Sequence, residues 1–149
     1  MQIQFWVPGI PATAGSKTPF IYKDKKSGKN RVAMSPANKR QKPWMADVKY
    51  HAGKEMGLIS PLTGAVILKV QFQFMRPRSH FGSGRNAGQV KASAPKYHIT
   101  KPDLTKLTRA VEDALRGVIY RDDSQVVAQR PTKRYSEAPG ALITIMEVD

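Results

Sequence analysis

Residues 63–75 read TGAVILKVQFQFM and alternate apolar with polar side chains as a half-buried β-strand does. The apolar set is Val66, Leu68, Val70, Phe72 and Phe74, and the polar residues between them are Lys69, Gln71 and Gln73. Because successive side chains of a strand point to opposite faces, the alternation predicts a strand with one face packed on the core. The fold is therefore expected to contain a sheet.

Residues 101–117 read KPDLTKLTRAVEDALRG and carry the period of an amphipathic helix. The apolar stripe is Leu104, Leu107, Val111 and Leu115, and Gly117 follows it. Spacings of three and four residues place these side chains on one helix face, and glycine is a common helix terminator. The pattern predicts a helix that starts at Lys101-Pro102 and packs on the core.

Weaker patterns complete the predicted fold. They indicate strands at Met1–Val7 and Ala141–Val148, a basic hairpin at Phe20–Tyr22 and Arg31–Met34, short apolar pieces at Val118–Tyr120 and Gln125–Gln129, and a helix opened by Pro43 and closed by Gly57. Strands first and last with two helices between them favour an α/β domain of the α+β kind, with a mixed sheet and two main helices covering one face. Residues 1–149 are expected to form this single domain.

Residues 76–100 lack any such period and are rich in Gly, Ser, Arg and Lys. A stretch of about 25 residues without its own secondary structure is more often functional than a plain connector in a compact domain. From Arg76 to Lys101 there are six basic residues and no acid. We expect a basic loop that is mobile without ligand.

Composition excludes several kinds of site. The chain has 149 residues and no cysteine, which excludes disulfides, Cys-zinc sites and thiol catalysis. The three histidines lack metal-ligand spacing, and Gly82-Ser83-Gly84 lacks the context of a nucleotide-binding loop. No signal peptide or apolar stretch of membrane-spanning length is visible, so we expect a cytoplasmic protein without a nucleotide cofactor.

Charge is distributed unevenly along the chain. Lys and Arg number 25 against 11 Asp and Glu, and the net charge of +14 favours polyanionic partners such as nucleic acid. Five of the eleven acids nevertheless lie between Asp103 and Asp123. Carboxylates repel phosphates, so a protein that only binds nucleic acid gains nothing from concentrating them. A nuclease needs them, because carboxylate oxygens hold Mg²⁺.

Asp103 and the Asp122-Asp123 pair are the main candidate metal ligands and catalytic acids. Each has a simpler interpretation, since an aspartate at a helix start complements the helix dipole and adjacent aspartates often form turns. A short return through Val118–Tyr120 is expected to bring the pair back along the helix, so that the carboxylates converge on one metal ion. Arg109 is expected to contact a phosphate, although an ordinary exposed arginine is the alternative.

Other charged and aromatic residues are secondary candidates. Glu112 and Asp113 are interpreted as solvated helix charges and as reserve metal ligands. Phe81, Tyr97 and Tyr120 are candidates for stacking on an unpaired base. The predicted DNA contacts are Lys17, Arg76, Arg78, Arg85, Lys91, Lys96 and Lys101.

Three runs of residues resemble the RusA family of Holliday-junction resolvases. They are Lys101–Leu107, Ala110–Leu115 and Tyr120–Val127, and weaker similarity at Val7–Pro11 extends the resemblance to nearly the whole chain, with phage-borne members most alike. The resemblance implies a homodimeric DNA endonuclease that binds four-way or branched junctions and makes paired nicks with Mg²⁺ or Mn²⁺. By position, Asp103 and Asp123 match essential aspartates of the family, with Asp122 beside them.

Two positions depart from the family pattern. Thr105 occupies the place of a second aspartate, and Arg109 occupies that of a lysine. A threonine hydroxyl can hold a metal-bound water but supplies no charge. The site then works with fewer carboxylates, binds metal weakly, or recruits Glu112 or Asp113. A non-catalytic DNA-binding protein is the alternative, and a structural, ribosome-like protein is a more distant one.

Overall fold

The computed structural model describes residues 1–15, 17–36 and 38–149. Its strands and α-helices are β1 (Gln2–Pro8), β2 (Lys17–Lys23), β3 (Asn30–Pro36), α1 (Gln41–Met56), β4 (Ala65–Phe74), α2 (Leu104–Leu115), β5 (Val126–Tyr135) and β6 (Gly140–Val148). Within those three ranges, no helix is long and apolar enough to span a membrane.

The main sheet has four strands and is mixed. Its strand order is β1-β6-β4-β5, in which β6 pairs antiparallel with β1 and β4, whereas β5 pairs parallel with β4. Strands β2 and β3 form a separate antiparallel hairpin. The predicted α+β fold with a mixed sheet is confirmed.

Both helices pack on one face of this sheet. Helix α1 contacts α2 and β1, and α2 contacts β5. The buried helix residues include Trp44, Val48, Ala52 and Met56 of α1 and Leu107, Val111 and Leu115 of α2. On β4 every second residue from Val66 to Phe74 is buried. The alternation that predicted this strand also identifies the face that holds the core.

Strand β5 is longer than the sequence indicated. Periodicity predicted a short apolar piece at Gln125–Gln129, whereas the strand continues to Tyr135. It is an edge strand, and its side chains are exposed or half-buried, so no apolar alternation marks it. An edge strand also tolerates Pro131, because only one of its sides pairs with a neighbour.

Strand β5 runs beside α2 in the opposite direction. At one end, Arg116 directly after α2 lies 3.4 Å from the carboxylate of Asp123, shortly before β5 begins. At the other end, the Lys133 Nζ donates to the carbonyls of Thr100 (2.6 Å) and Pro102 (2.9 Å), just before α2 begins. The strand therefore connects the two ends of the helix.

The loop at 76–100 contains two single-turn 3-10 helices, Arg78–His80 and Gly84–Asn86. Arg76, the first residue of the loop, contacts both β5 and the C-terminal part of the loop. The guanidinium of Arg76 lies 4.4 Å from the ring centroid of Tyr135, and one of its nitrogens donates to the carbonyl of Pro95 at 2.7 Å. The mobility of this loop stays a prediction.

Candidate active site

The Asp122-Asp123 turn is held in place by Gln125. The Gln125 side-chain oxygen accepts from the backbone N–H of Asp122 at 2.9 Å. Its nitrogen donates to the carbonyls of Leu62 (3.0 Å) and Gly64 (2.9 Å), just before β4. One side chain therefore fixes the turn to the segment that leads into β4, which explains a glutamine two residues after the aspartate pair.

The two aspartates of this turn differ in their surroundings. Asp122 is exposed and accepts from the backbone N–H of Ser124 at 2.9 Å, and hydrogen bonding to Ser124 lowers the pKa of Asp122. Its geometry matches the turn-forming interpretation. Asp123 is half-buried, and its Oδ1 has no hydrogen-bond partner among the described residues. Burial raises the pKa of Asp123, and the nearby Arg116 opposes this rise.

Glu112 joins Asp123 in an acidic cluster at the end of α2. Burial raises the pKa of Glu112, and so do the negative charges of Asp123 and Asp113, while the side chains of Gln129 and Arg109 lower it. Asp113 likewise raises the pKa of Asp123. These effects indicate that Asp113 and Asp123 lie near Glu112, and that Asp113 lies near Asp123. We name them the acidic cluster.

Tyr120 fixes the return from α2 toward the acidic cluster. Its ring is fully buried, and its hydroxyl donates to the backbone carbonyl of Glu112 at 3.1 Å. Burial raises the pKa of Tyr120, and the charge of Glu112 adds to the effect. The prediction that Tyr120 stacks on an unpaired base is therefore wrong, because the core has taken up its ring.

Asp103 lies at the other end of α2, where it is the N-cap residue. Its side chain is 58% exposed and its Oδ2 is 3.6 Å from the Nζ of Lys106. A helix of 12 residues is about 18 Å long. The structure thus separates Asp103 from Asp123 within one chain, contrary to the expected convergence. The reason is that β5, rather than the segment at 118–123, runs back along the helix.

A groove of about 200 Å³ lies between α2 and β5, and it runs along the helix from Leu104 to Glu112. Its helix side includes Thr105, Arg109 and Glu112, and its strand side Gln129 and Pro131. The three helix residues follow one another at spacings of four and three, so they share a face. Thr105, at the position of a family aspartate, therefore opens onto the same groove as Glu112. The contribution of Gln129 was missed because the sequence marked residues 125–129 only as a short apolar piece and did not place it beside α2.

The donor set suits a loosely held magnesium ion. Across the part of the chain that the structure describes, no three Asp, Glu or His side chains stand together as metal ligands. Magnesium, however, is commonly held by one or two carboxylates together with water and substrate phosphate. The unpartnered Oδ1 of Asp123 and the raised pKa of Glu112 fit this arrangement, since a cation would relieve both.

Comparison with known proteins identifies the family of the chain. The family model described as Endodeoxyribonuclease RusA matches residues 16–146. The chain belongs to the RusA endodeoxyribonuclease family. The matched segment contains α2, the acidic cluster and the groove. The chain is also 32% identical to the protein called Uncharacterized protein YqaN of Bacillus subtilis (strain 168), over 98% of this chain and 96% of that one.

Membership of the RusA family confirms the resemblance found in the sequence and the enzyme class, an endodeoxyribonuclease. Most of the predicted DNA contacts of this RusA-family chain lie on its surface. The exposed ones are Arg78, Arg85, Lys91, Lys96 and Lys101. Arg76 is half-buried and holds the loop at 76–100 against β5. The side chain of Lys17 lies outside the described part of the structure.

Proposed function

We propose that this RusA-family chain is a Mg²⁺-dependent, structure-specific endonuclease that resolves four-way or branched DNA by paired nicks. Mn²⁺ is expected to replace Mg²⁺, because both prefer oxygen ligands. The strong positive charge supports a DNA substrate, and family membership supports junction resolution. The observation that carries the proposal is the acidic cluster within so basic a protein.

Asp123 and Glu112 would hold the cation, with substrate phosphate and water completing its shell. A divalent cation bound there supplies positive charge to a phosphodiester and activates water. The protein supplies the rest of the electrostatics. Arg109 in the groove and Arg116 beside Asp123 place two guanidinium groups around the cluster, where they offset negative charge that develops on phosphate. Asp122 holds the turn that positions Asp123, and its role as a further ligand stays a prediction.

Asp103 enters this proposal through a second subunit. Within one chain it stands about a helix length from Asp123, so a single ion cannot contact both. In a two-fold dimer with antiparallel α2 helices, Asp103 of one subunit would lie beside Asp123 of the other. We therefore propose that the chain acts as a homodimer with two composite sites. Paired nicks then follow, because a two-fold dimer presents two equivalent sites to the two strands.

A cleavage assay tests the proposal directly. A labelled four-way junction, a fork and a linear duplex of matched length are incubated with the protein with and without MgCl₂. Symmetric nicking of the junction, dependent on Mg²⁺ and weak on the duplex, is the expected result. Tight junction binding without any nicking would support the non-catalytic alternative, which Thr105 favours by removing one family carboxylate.

A further inference from the structure

A second pocket, of about 570 Å³, opens where the loop at 76–100 meets the end of β5. Sites for small organic ligands commonly have volumes of about 300–1,000 Å³. The lining includes Met75, Phe81, Val90, Tyr97 and Tyr135. It shares no lining residue with the groove between α2 and β5.

Backbone hydrogen bonding within the loop fixes the apolar walls of this pocket. Phe81 and Val90 face each other across a bridge between two loop segments, which a hydrogen bond from the Lys91 N–H to the His80 carbonyl closes at 2.8 Å. Arg76, whose guanidinium stacks on the ring of Tyr135, also lines the pocket. The loop therefore holds these apolar side chains around an open pocket.

Tyr97 stands exposed at this opening. Its side chain is 68% accessible, and the Lys96 ammonium lies 5.5 Å from its ring centroid. Met75 and Val90 are also largely accessible. An exposed aromatic ring among apolar neighbours and cations is typical of a surface on which a nucleobase stacks.

The charges around the pocket indicate the kind of ligand that it fits. Arg76, Lys96 and Arg134 supply three positive charges, against one carboxylate, Glu137. The cations attract DNA phosphates, whereas a carboxylate repels phosphate and accepts hydrogen bonds from amino groups on base edges. A paired base is stacked within the duplex and cannot enter, so the chemistry fits an unpaired nucleotide.

We propose that this pocket, here named the Tyr97 pocket, binds one unpaired nucleobase of branched DNA. The base stacks on Tyr97, and its flanking phosphates lie near Lys96 and Arg134. The inference rests on the proposed function, since branched DNA supplies unpaired bases close to the branch point. The proposal gives the protein a DNA-binding site separate from the acidic cluster. Part of this site lies on the loop that leads to Asp103.

Binding of two short single strands with the same number of phosphates tests the inference. One strand carries thymine throughout and the other is abasic. The wild-type protein is expected to bind the thymine strand at least about fivefold more tightly, the contribution of one stacked base. Tyr97→Ala should bring this ratio close to one, and Tyr97→Phe should preserve it. Tyr50→Ala is the matched control, because Tyr50 on α1 is 61% exposed and has Lys54 over its ring at 5.6 Å.

Equal binding of the two strands by the wild-type protein, or an unchanged ratio in Tyr97→Ala, would overturn the Tyr97 pocket. Junction nicking with Mg²⁺ is measured on the same preparations to separate the two proposals. Nicking without a base preference refutes the pocket alone. A base preference that depends on Tyr97, without nicking, supports the pocket and refutes the catalytic function.

Discussion

The guanidinium of Arg116 lies 3.4 Å from the carboxylate of Asp123, so the residue that follows α2 pairs with one that precedes β5. This contact joins the helix to the strand at the acidic cluster. The positive charge of Arg116 also favours the ionised form of Asp123, against the burial that raises its pKa. Arg116 thus both positions the carboxylate of Asp123, the proposed metal ligand, and favours its ionised form.

Replacement of Arg116 by alanine should shift the fall of the nicking rate at low pH, the acid limb of its pH profile, to higher pH. Without the guanidinium, the pKa of Asp123 rises further, and a protonated carboxyl cannot bind a cation. The measurement is the nicking rate against pH at saturating MgCl₂. Arg121→Ala, which removes an exposed arginine from the same turn, is the control and should leave the limb in place. An unshifted limb in Arg116→Ala would contradict the role of Asp123.

Magnesium should stabilise the protein more at neutral than at mildly acidic pH. Glu112 and Asp123 have raised pKa values, so their contribution to stability is present at low pH and is lost as pH rises through those values. A cation relieves the repulsion only once both are ionised. Melting temperatures with and without MgCl₂ check this at the two pH values. Glu112→Gln should raise the metal-free melting temperature at neutral pH and reduce the magnesium effect, whereas the exposed Glu55→Gln should do neither.

A mixture of two inactive variants should recover activity if the sites are composite. Asp103→Asn and Asp123→Asn should each abolish nicking yet leave junction binding intact or stronger, since each removes a charge that repels phosphate. In a mixed dimer one composite site carries both substitutions and the other carries neither. Mixing after partial unfolding should therefore restore nicking of one strand. No recovery, with mixed dimers shown by mass spectrometry, would place each site within one chain.

Aspartate at position 105 should tighten metal binding. In the proposed dimer Thr105, two residues after Asp103 at the same end of α2, would lie near the cation site of the other subunit, and hard cations are held chiefly by the number and charge of oxygen ligands. Thr105→Asp is expected to lower the half-saturating Mg²⁺ concentration several-fold. Position 105 lies in the first turn of α2, so the helix dipole accepts the new charge. Thr132→Asp, on an exposed part of β5, controls for charge alone, and an equal effect there would exclude Thr105 from the metal site.

Two glycine substitutions should change stability in opposite directions. A Cβ at Gly140 would lie 2.5 Å from the Val7 carbonyl oxygen, where β6 pairs with β1, so Gly140→Ala should cost about 1–3 kcal/mol. Gly53 lies within α1 and has no neighbouring atom within 4 Å of an added Cβ. Gly53→Ala should stabilise by roughly 0.5–1 kcal/mol, because glycine weakens a helix interior. Urea unfolding of both variants measures the two effects.

The elements with strong periodicity were predictable, and the relation between them was not. The alternation in β4 and the apolar stripe of α2 report burial directly, so their positions followed from sequence. The edge strand β5 buries little and contains Pro131, which hides a strand from any periodic pattern. The turn between α2 and β5 leaves Asp123 beside Arg116, and β5 then runs back along the helix. The role of the acidic residues stays a prediction, and their separation along α2 required the structure.

Pro131 also has a consequence for self-association. The open side of an edge strand offers backbone donors and acceptors that can recruit a strand from another molecule. Pro131 supplies no N–H, and the exposed Arg130 and Arg134 add positive charge along the same strand. A second copy would meet a missing donor and like charge together. Extension of the sheet from one molecule to the next is therefore blocked at β5, and concentrated protein should resist fibril formation along this edge.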